Sequence, residues 1–372
     1  MAKRYIFGAG GTSGHINPAL AIADHIRLLE PDADIMFCGM ENGLEQDMTS
    51  RAGYQMKIIR ALSIPGQRRR RLFRFLKENT SGFLESRKLI KQFQPDAVIG
   101  TGGYVSGPLV MAAIWSRVPV LLHEQNAYPG RANRFLAPYT RSVCISFAES
   151  GKYFSKGTRL VLSGNPVKPE FFLAERESSR QKLGIPDHTF LILLLGGSLG
   201  ANSLTNTVIA LADEPAWQTL RESHDVRIQM STGIEKASEF LSKVNAVDGV
   251  TAVPYLHDVE DWMAAADLFI GRAGAMTCAE LAATGTPSLL VPYPFAANDH
   301  QTFNATSMEN AGAAEMIQDK DLTASWLVSA IEQLIENPEK RQTMGQSAKR
   351  LAIHDALDII YQELGRIRKN GR

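Results

Sequence analysis

The sequence has very few cysteines. Cys38, Cys144 and Cys278 are odd in number and widely spaced, and no CxxC pair or Cys/His cluster accompanies them. That excludes a disulfide framework and a zinc site, and it fits a reducing cytoplasm and three small core residues. Long apolar runs are also missing. The longest, such as Phe190 to Leu195 and Leu109 to Trp115, stop at six or seven residues, whereas a membrane-spanning helix needs roughly 20. The opening MAKRYIFGAGG has too few apolar residues after its basic ones for a secretory signal. Charge of one sign is lacking as well: 40 Lys and Arg balance 39 Asp and Glu, which argues against a general nucleic-acid binder. No GxGxxG and no GxxxxGK[ST] occurs, so dinucleotide and P-loop chemistry lose their usual signatures. The DxD-like run Asp32 to Asp34 precedes a strand instead of following one, so it is not expected to form a metal ligand set.

What remains is 372 residues of ordinary globular composition, long enough for two or three domains. Short apolar strands alternate with helical patterns: Arg4 to Phe7, a helix from Pro18 to Leu29, then strands at Ile35 to Cys38, Ala97 to Ile99, Val120 to His123 and Ser142 to Ser146. Strands that are apolar throughout belong to parallel sheets covered on both faces. The design then repeats from Phe190 to Leu195, with strands at Arg227 to Met230, Val250 to Val253, Leu268 to Ile270 and Ser288 to Val291. SGNPVKPE, residues 163 to 170, suits a linker. The expected architecture is therefore α/β, with two Rossmann-like domains whose parallel sheets face each other across a cleft. Residues 1–163 form the first domain and 164–372 the second. One or two amphipathic helices follow Pro338, the last free to pack back on the first domain.

Ligands of such sheets bind beyond the carboxyl ends of the strands, and the motifs lie there. GAGGTSGH, residues 8–15, follows the first strand and opens a helix, so glycine backbone and helix N–H groups can cradle an anion, with His15 beside them as a candidate base. GGSLGAN, residues 196–202, repeats the device in the second half around Ser198. GRAGAMTCAELAATGTPSLLVP, residues 271–292, carries Ala275, Met276 and Thr277 into a helix start, with Glu280 one turn on. A carboxylate there can accept from two vicinal hydroxyls; a helix-dipole acid on a solvated face is the plain alternative. NDHQTFNA, residues 298–305, groups amides and a carboxylate suited to sugar hydroxyls, or to capping a helix. HEQNAYPGRANR (123–134) and GTGGYVSGP (100–108) add polar loops after first-half strands. From Lys57 to Lys77 there are eight basic residues and no acid, interleaved with Leu and Phe. That mixture favours the surface of an anionic membrane over nucleic acid.

With these strings in order over residues 5 to 312, the chain resembles the MurG family, the peptidoglycan N-acetylglucosaminyltransferases that convert lipid I to lipid II on the cytoplasmic membrane face. The resemblance implies a GT-B fold. It implies an inverting transfer of N-acetylglucosamine from UDP-N-acetylglucosamine to the 4-hydroxyl of a muramic acid, with no tightly bound cofactor or metal. It places the acceptor against Gly11, Thr12, Gly102, Gly103, Tyr104, Ser106 and Glu124. It places the donor against Thr12, Ser13, Gly14, Asn126, Lys168, Ser198, Tyr255, Leu256, Ala275, Met276, Thr277, Glu280, His300 and Gln301. His15 and Asn126 stand at the catalytic centre. Ile64, Arg68, Arg69, Arg70, Arg71, Leu72, Phe73, Phe75 and Leu76 would meet the membrane. Two departures are visible: Lys168 replaces an arginine found in family members and loses its bidentate fork, and Leu199 stands at a position often polar. Another GT-B glycolipid transferase, a UDP-N-acetylglucosamine 2-epimerase, a dehydrogenase and a non-catalytic membrane scaffold are the competing readings. The dehydrogenase is opposed by the missing fingerprint, and the scaffold by the presence of His15, Glu280 and Gln301.

Overall fold

The computed structural model describes residues 2–41, 43–63, 69–197 and 200–369. The chain divides into two compact units, one of residues 1–166 with 355–372, the other of 167–354. The break read from the linker lies three residues earlier, and the C-terminal segment returns to the first unit.

Unit 1 holds a seven-stranded parallel sheet of β1 (Arg4–Ala9), β2 (Asp34–Gly39), β3 (Gln55–Ile58), β4 (Ala97–Gly102), β5 (Val120–Glu124), β6 (Ser142–Ile145) and β7 (Leu160–Leu162), in the order 3-2-1-4-5-6-7. Unit 2 repeats the plan with β8 (Phe190–Leu195), β9 (Val226–Ser231), β10 (Val250–Val253), β11 (Leu268–Gly271), β12 (Ser288–Leu290) and β13 (Ala314–Met316), in the order 10-9-8-11-12-13. All pairings are parallel. The two-residue period of a strand explains why the apolar runs are continuous. In β1, Ile6 enters one core cluster with Val98, Leu109 and Leu122, while Tyr5 and Phe7 enter another with Ile22, Ile26 and Ile99. Both faces of the sheet are thus covered.

Three strands escape a reading by apolar runs: β3, β7 and β13. Each has only three or four residues and lies at a sheet edge, where half the burial that writes the pattern is missing. The first helix, Ser13–Leu29, begins five residues before Pro18. Proline at its sixth position withholds a single N–H from the helix ladder. The polar residues Ser13 and His15 therefore belong to the helix itself.

In both units the strand order reverses beside the first strand, β1 or β8. The crevice there is flanked by the loops after β1 and β4 in unit 1, and after β8 and β11 in unit 2. These are the natural ligand positions of an open parallel sheet.

Candidate functional site

In unit 1 the loop after β1 passes through Gly11 at φ +88° and enters the helix with no side-chain cap and no acid in its first turn. His15 N turns back to the Thr12 carbonyl (3.1 Å), while the Ser13 and Gly14 amides have no partner among the described residues and are left to a ligand or to water. The loop after β4 closes on it. Gly103, at φ +76°, approaches so nearly that a Cβ would stand 2.0 Å from the Gly10 carbonyl oxygen. Gly102, at φ +108°, backs the imidazole of His15, where a Cβ would come within 2.8 Å of Nδ1. The half-buried ring is also held by Gln125, whose Oε1 lies 3.2 Å from Nδ1. Gln125 itself donates from Nε2 to the Thr101 carbonyl (2.8 Å) and approaches His123 Nδ1 (2.9 Å). Among the described residues His15 Nε2 has no hydrogen-bond partner. Tyr104 is half-buried at the rim, and burial, then the nearby Glu45, raises its phenol above the usual range.

Two residues assigned to the acceptor have other work. Ser106 is fully buried, and its hydroxyl sits between the carbonyl oxygens of Gly8 (2.5 Å) and Gly102 (2.6 Å). It ties β1 to the β4 turn and has no exposed atom for a ligand. Glu124 is 1 % exposed. Its carboxylate accepts from Asn126 N (3.0 Å), Asn126 Nδ2 (3.2 Å), Gly130 N (2.9 Å) and Asn133 Nδ2 (2.9 Å). That satisfies both oxygens and shapes the loop that carries Asn126. Sequence reasoning missed Glu45. This carboxylate is buried, accepts from Met40 N (2.9 Å), and leaves no room for a Cβ at Gly10, Gly39 or Gly43. An acid ringed by three glycines (Gly39, Gly43 and Gly10 of the anion loop) was the available signal.

In unit 2 the helix Ala275–Thr284 starts on Gly274, again with no side-chain cap and no acid in its first turn. Ala275 is buried, and Met276 and Thr277 are half-buried. Glu280 is half-buried, and its carboxylate makes no hydrogen bond among the described residues. Burial pushes it up to about 7, against the pull of the Lys168 charge and with the push of Glu260. A carboxylate left this way costs free energy unless hydroxyl or amide donors reach it. Lys168 caps the short helix Pro169–Leu173 and is exposed. Tyr255 is 52 % exposed, edge-on to His257 with ring centroids 4.9 Å apart, while Leu256 is buried. Gly200 needs its φ of +71°, since a Cβ would meet the Thr232 carbonyl at 2.2 Å. Ser198 and Leu199, between these glycines, lie outside the described residues.

Asn298 and Asp299 both take left-handed backbone (φ 54° and 56°) just before the helix His300–Asn310. Asn and Asp are the non-glycine residues that enter this region most readily. His300 Nδ1 is 2.8 Å from the Ala297 carbonyl, and Gln301 Oε1 accepts from Tyr293 N (2.9 Å), leaving its Nε2 without a hydrogen bond among the described residues. Buried Arg272, of the GRAG string, binds the Val291 and Pro292 carbonyls, Ser203 and Asp319. It fastens the loops after β11 and β12 to the helix Asn202–Ala210. Asn304 donates to the Ala273 carbonyl at 3.1 Å and joins the helix His300–Asn310 to the same turn.

Thus Gly11, Thr12, Ser13, Gly14, His15, Gly102, Gly103, Tyr104 and Asn126 gather in unit 1. Lys168, Tyr255, Leu256, Ala275, Met276, Thr277, Glu280, His300 and Gln301 belong to unit 2. Of the membrane set, Ile64 and Arg68 lie outside the described residues. Arg69, Arg70 and Arg71 begin the helix Arg69–Phe93. On that helix Leu72, Phe73 and Leu76 are exposed, and Phe75 is half-buried. Among the described residues no helix is long and apolar enough to cross a membrane, and no group of three His, Cys, Asp or Glu side chains is placed to hold a metal ion.

Residues 5–145 match the family model of the glycosyltransferase family 28 N-terminal domain, and 191–360 that of its C-terminal domain. The protein of Caldanaerobacter subterraneus named UDP-N-acetylglucosamine–N-acetylmuramyl-(pentapeptide) pyrophosphoryl-undecaprenol N-acetylglucosamine transferase is 42 % identical, over 96 % of this chain and 98 % of its own. The protein of the same name from Desulforudis audaxviator is 40 % identical over 99 % of both chains. Among solved structures, Acinetobacter baumannii MurG superposes with a TM-score of 0.79 at 27 % identity, covering 99 % of each chain. A UDP-N-acetylglucosamine 2-epimerase superposes at 0.66 with 15 % identity, covering 98 % of this chain and 96 % of its own, a likeness of fold alone.

Proposed function

The chain belongs to the MurG family of glycosyltransferases, and from that premise we propose how its own residues divide the reaction. The protein is a UDP-N-acetylglucosamine-dependent transferase of peptidoglycan synthesis that builds lipid II from lipid I. The observation that carries the division of labour is Glu280. It is a half-buried carboxylate with no hydrogen bond among the described residues, one turn into a helix whose first turn carries no acid. Vicinal ribose hydroxyls satisfy the carboxylate, and the helix N–H groups face the diphosphate. Thr277, Ala275 and Met276 then lie on the diphosphate side with Lys168 and Ser198. Tyr255 and Leu256 take the uracil, and Gln301 and His300 the sugar.

His15 is the base. It accepts the proton of the acceptor 4-hydroxyl as that oxygen attacks the anomeric carbon, and UDP leaves with the bond electrons. Thr12, Ser13, Gly14 and Asn126 surround the reacting sugar, while Gly11, Gly102, Gly103 and Tyr104 meet the acceptor. Helix N-termini stabilise the departing charge in this scheme, which calls for no tightly bound metal or cofactor. The exposed Leu72, Phe73 and Leu76, next to Arg69 to Arg71, hold the enzyme on an anionic membrane face on the cytoplasmic side, each basic residue contributing about 1 kcal/mol.

The test is incubation with UDP-N-acetylglucosamine and a short-chain lipid I analogue in EDTA, following UDP release and disaccharide. Acceptor-dependent release with product supports the reaction and its metal independence. Selective donor binding without transfer sends the reading to another GT-B transferase or to the epimerase. His15→Ala is expected to lower turnover by about 10²- to 10⁴-fold with UDP affinity nearly unchanged; unchanged turnover removes His15 as the base.

A further inference from the structure

We propose that Gln125, oriented by His123, sets the tautomer of His15 and thereby makes its Nε2 the proton-accepting atom. The polarity of the hydrogen bonds linking His15, Gln125 and His123 follows from backbone carbonyls, which can only accept. The Thr101 carbonyl lies 2.8 Å from Gln125 Nε2, so the amide nitrogen faces it, and the His123 carbonyl at 3.3 Å enforces the same orientation. Gln125 Oε1 is then the atom turned to His15 Nδ1 at 3.2 Å. An amide oxygen cannot donate, so Nδ1 carries the proton. A neutral imidazole with Nδ1–H has its lone pair on Nε2.

His123 supplies the second constraint. Its Nε2 stands 3.1 Å from the Gly164 carbonyl and must donate, which leaves Nδ1 to accept from Gln125 Nε2 at 2.9 Å. A proton on His123 Nδ1 would face the Gln125 amide hydrogens and turn the amide over. Burial lowers His123 to about 4, the Gly164 carbonyl opposing, so the ring stays neutral near pH 7. Both side chains are almost wholly buried, so water does not compete for their bonds. The backbone of Gly102 behind the ring and the Thr101 hydroxyl on the His15 carbonyl (2.8 Å) fix the imidazole in place. Gln125 touches no substrate in this scheme and is a positioning residue. The tautomer assignment stands on this geometry alone; its catalytic consequence rests on His15 being the base.

The experiment is long-range proton–nitrogen NMR of the full chain labelled with ¹⁵N-histidine, with His15 signals identified by their loss in His15→Ala. The wild type is expected to show His15 protonated at Nδ1 and bare at Nε2. Gln125→Leu, which keeps the length and drops the acceptor, is expected to mix the tautomers. Turnover should fall by about 10²-fold or more with UDP affinity unchanged. Gln125→Glu keeps an oxygen before Nδ1–H, and is expected to restore that tautomer and part of the turnover, a rescue that a merely structural role does not give. A wild-type His15 protonated at Nε2 overturns the proposal whether or not the variants fold, as does a Gln125→Leu protein with its tautomer unchanged. A changed tautomer with full turnover overturns instead the base role of His15, and with it the catalytic half of this inference.

Discussion

Glu280 shows how one carboxyl can report on a ligand before any ligand is seen. Burial lifts it to about 7 from an ordinary 4.5, Lys168 only partly opposing. A carboxyl raised in the fold prefers its proton there, so the folded state is favoured below pH 4.5. That advantage disappears as pH climbs through about 7. Glu280→Gln is therefore expected to flatten the pH dependence of unit 2 stability between pH 4.5 and 7, followed by thermal unfolding. The same change should weaken UDP binding by about tenfold or more, the worth of hydrogen bonds to a charged acceptor, measured by calorimetry. A variant that binds UDP as tightly as the wild type takes Glu280 out of the donor site. Glu280 was legible in the sequence because it follows a glycine turn by one helical turn. Gln125 was not, since a glutamine in a polar loop has no pattern of its own, and its partners Thr101 and His15 come from other strand ends.

The helix Arg69–Phe93 is an element whose two ends are differently exposed. From Asn79 onward it is docked: Asn79 binds the Leu62 carbonyl at 3.2 Å, Glu85 meets Arg60, and Ser86 and Ile90 are buried. Gly82 is the point of closest approach, where a Cβ would stand 1.8 Å from the Arg60 carbonyl. Its earlier half leaves Phe73 at 77 % exposure beside Leu72 and Leu76. The two ends should separate by mutation. Gly82→Ala is expected to cost about 1–3 kcal/mol of unit 1 stability in denaturant unfolding, because backbone has to move. Phe73→Ser should leave stability within about 0.5 kcal/mol yet reduce sedimentation with anionic vesicles. Equal vesicle binding in Phe73→Ser would remove this helix as the membrane contact. The composition of the segment is visible in the chain; which of its apolar residues stay exposed is decided by what the helix packs on.

At the scale of the molecule, the C-terminal helix Ala356–Lys369 belongs to the first unit, after the whole of unit 2 has intervened. Ile360, Leu364 and Ile367 enter the cluster around Tyr5 and Phe7. Glu363 pairs with Arg159 through two bonds, at 2.9 and 3.2 Å. Burial alone would raise this carboxyl, but hydrogen bonds from Arg366 and Arg159 outweigh it and take it down to about 2. A carboxyl held low contributes stability above its ordinary 4.5, and the contribution is lost as pH falls toward 2. Glu363→Gln should then destabilise unit 1 by about 1–2 kcal/mol at pH 7, a figure reduced because both arginines reach solvent. The difference should close between pH 4.5 and 2 while unit 2 is unaffected. A gap that persists at pH 2 assigns the loss to packing instead of charge.

The sequence by itself determined the class of fold, the repeated plan, the glycine turns at strand ends and Glu280 and His15 beside them. These features are local: apolar runs record burial on both faces of a strand, and glycine records backbone that no side chain permits. Only the tertiary structure decided that Ser106 and Glu124 serve the loops they stand in, that Glu45 and Arg272 brace the turns, and that the last helix closes the first unit. It also decided which nitrogen of His15 is free. Ser106 depends on the Gly8 carbonyl and Arg272 on the Val291 carbonyl and the Asp319 carboxylate, brought from elsewhere in the chain. Glu124 and Glu45 take loop amides, and the last helix takes apolar contacts. Such partners leave no periodicity in the sequence.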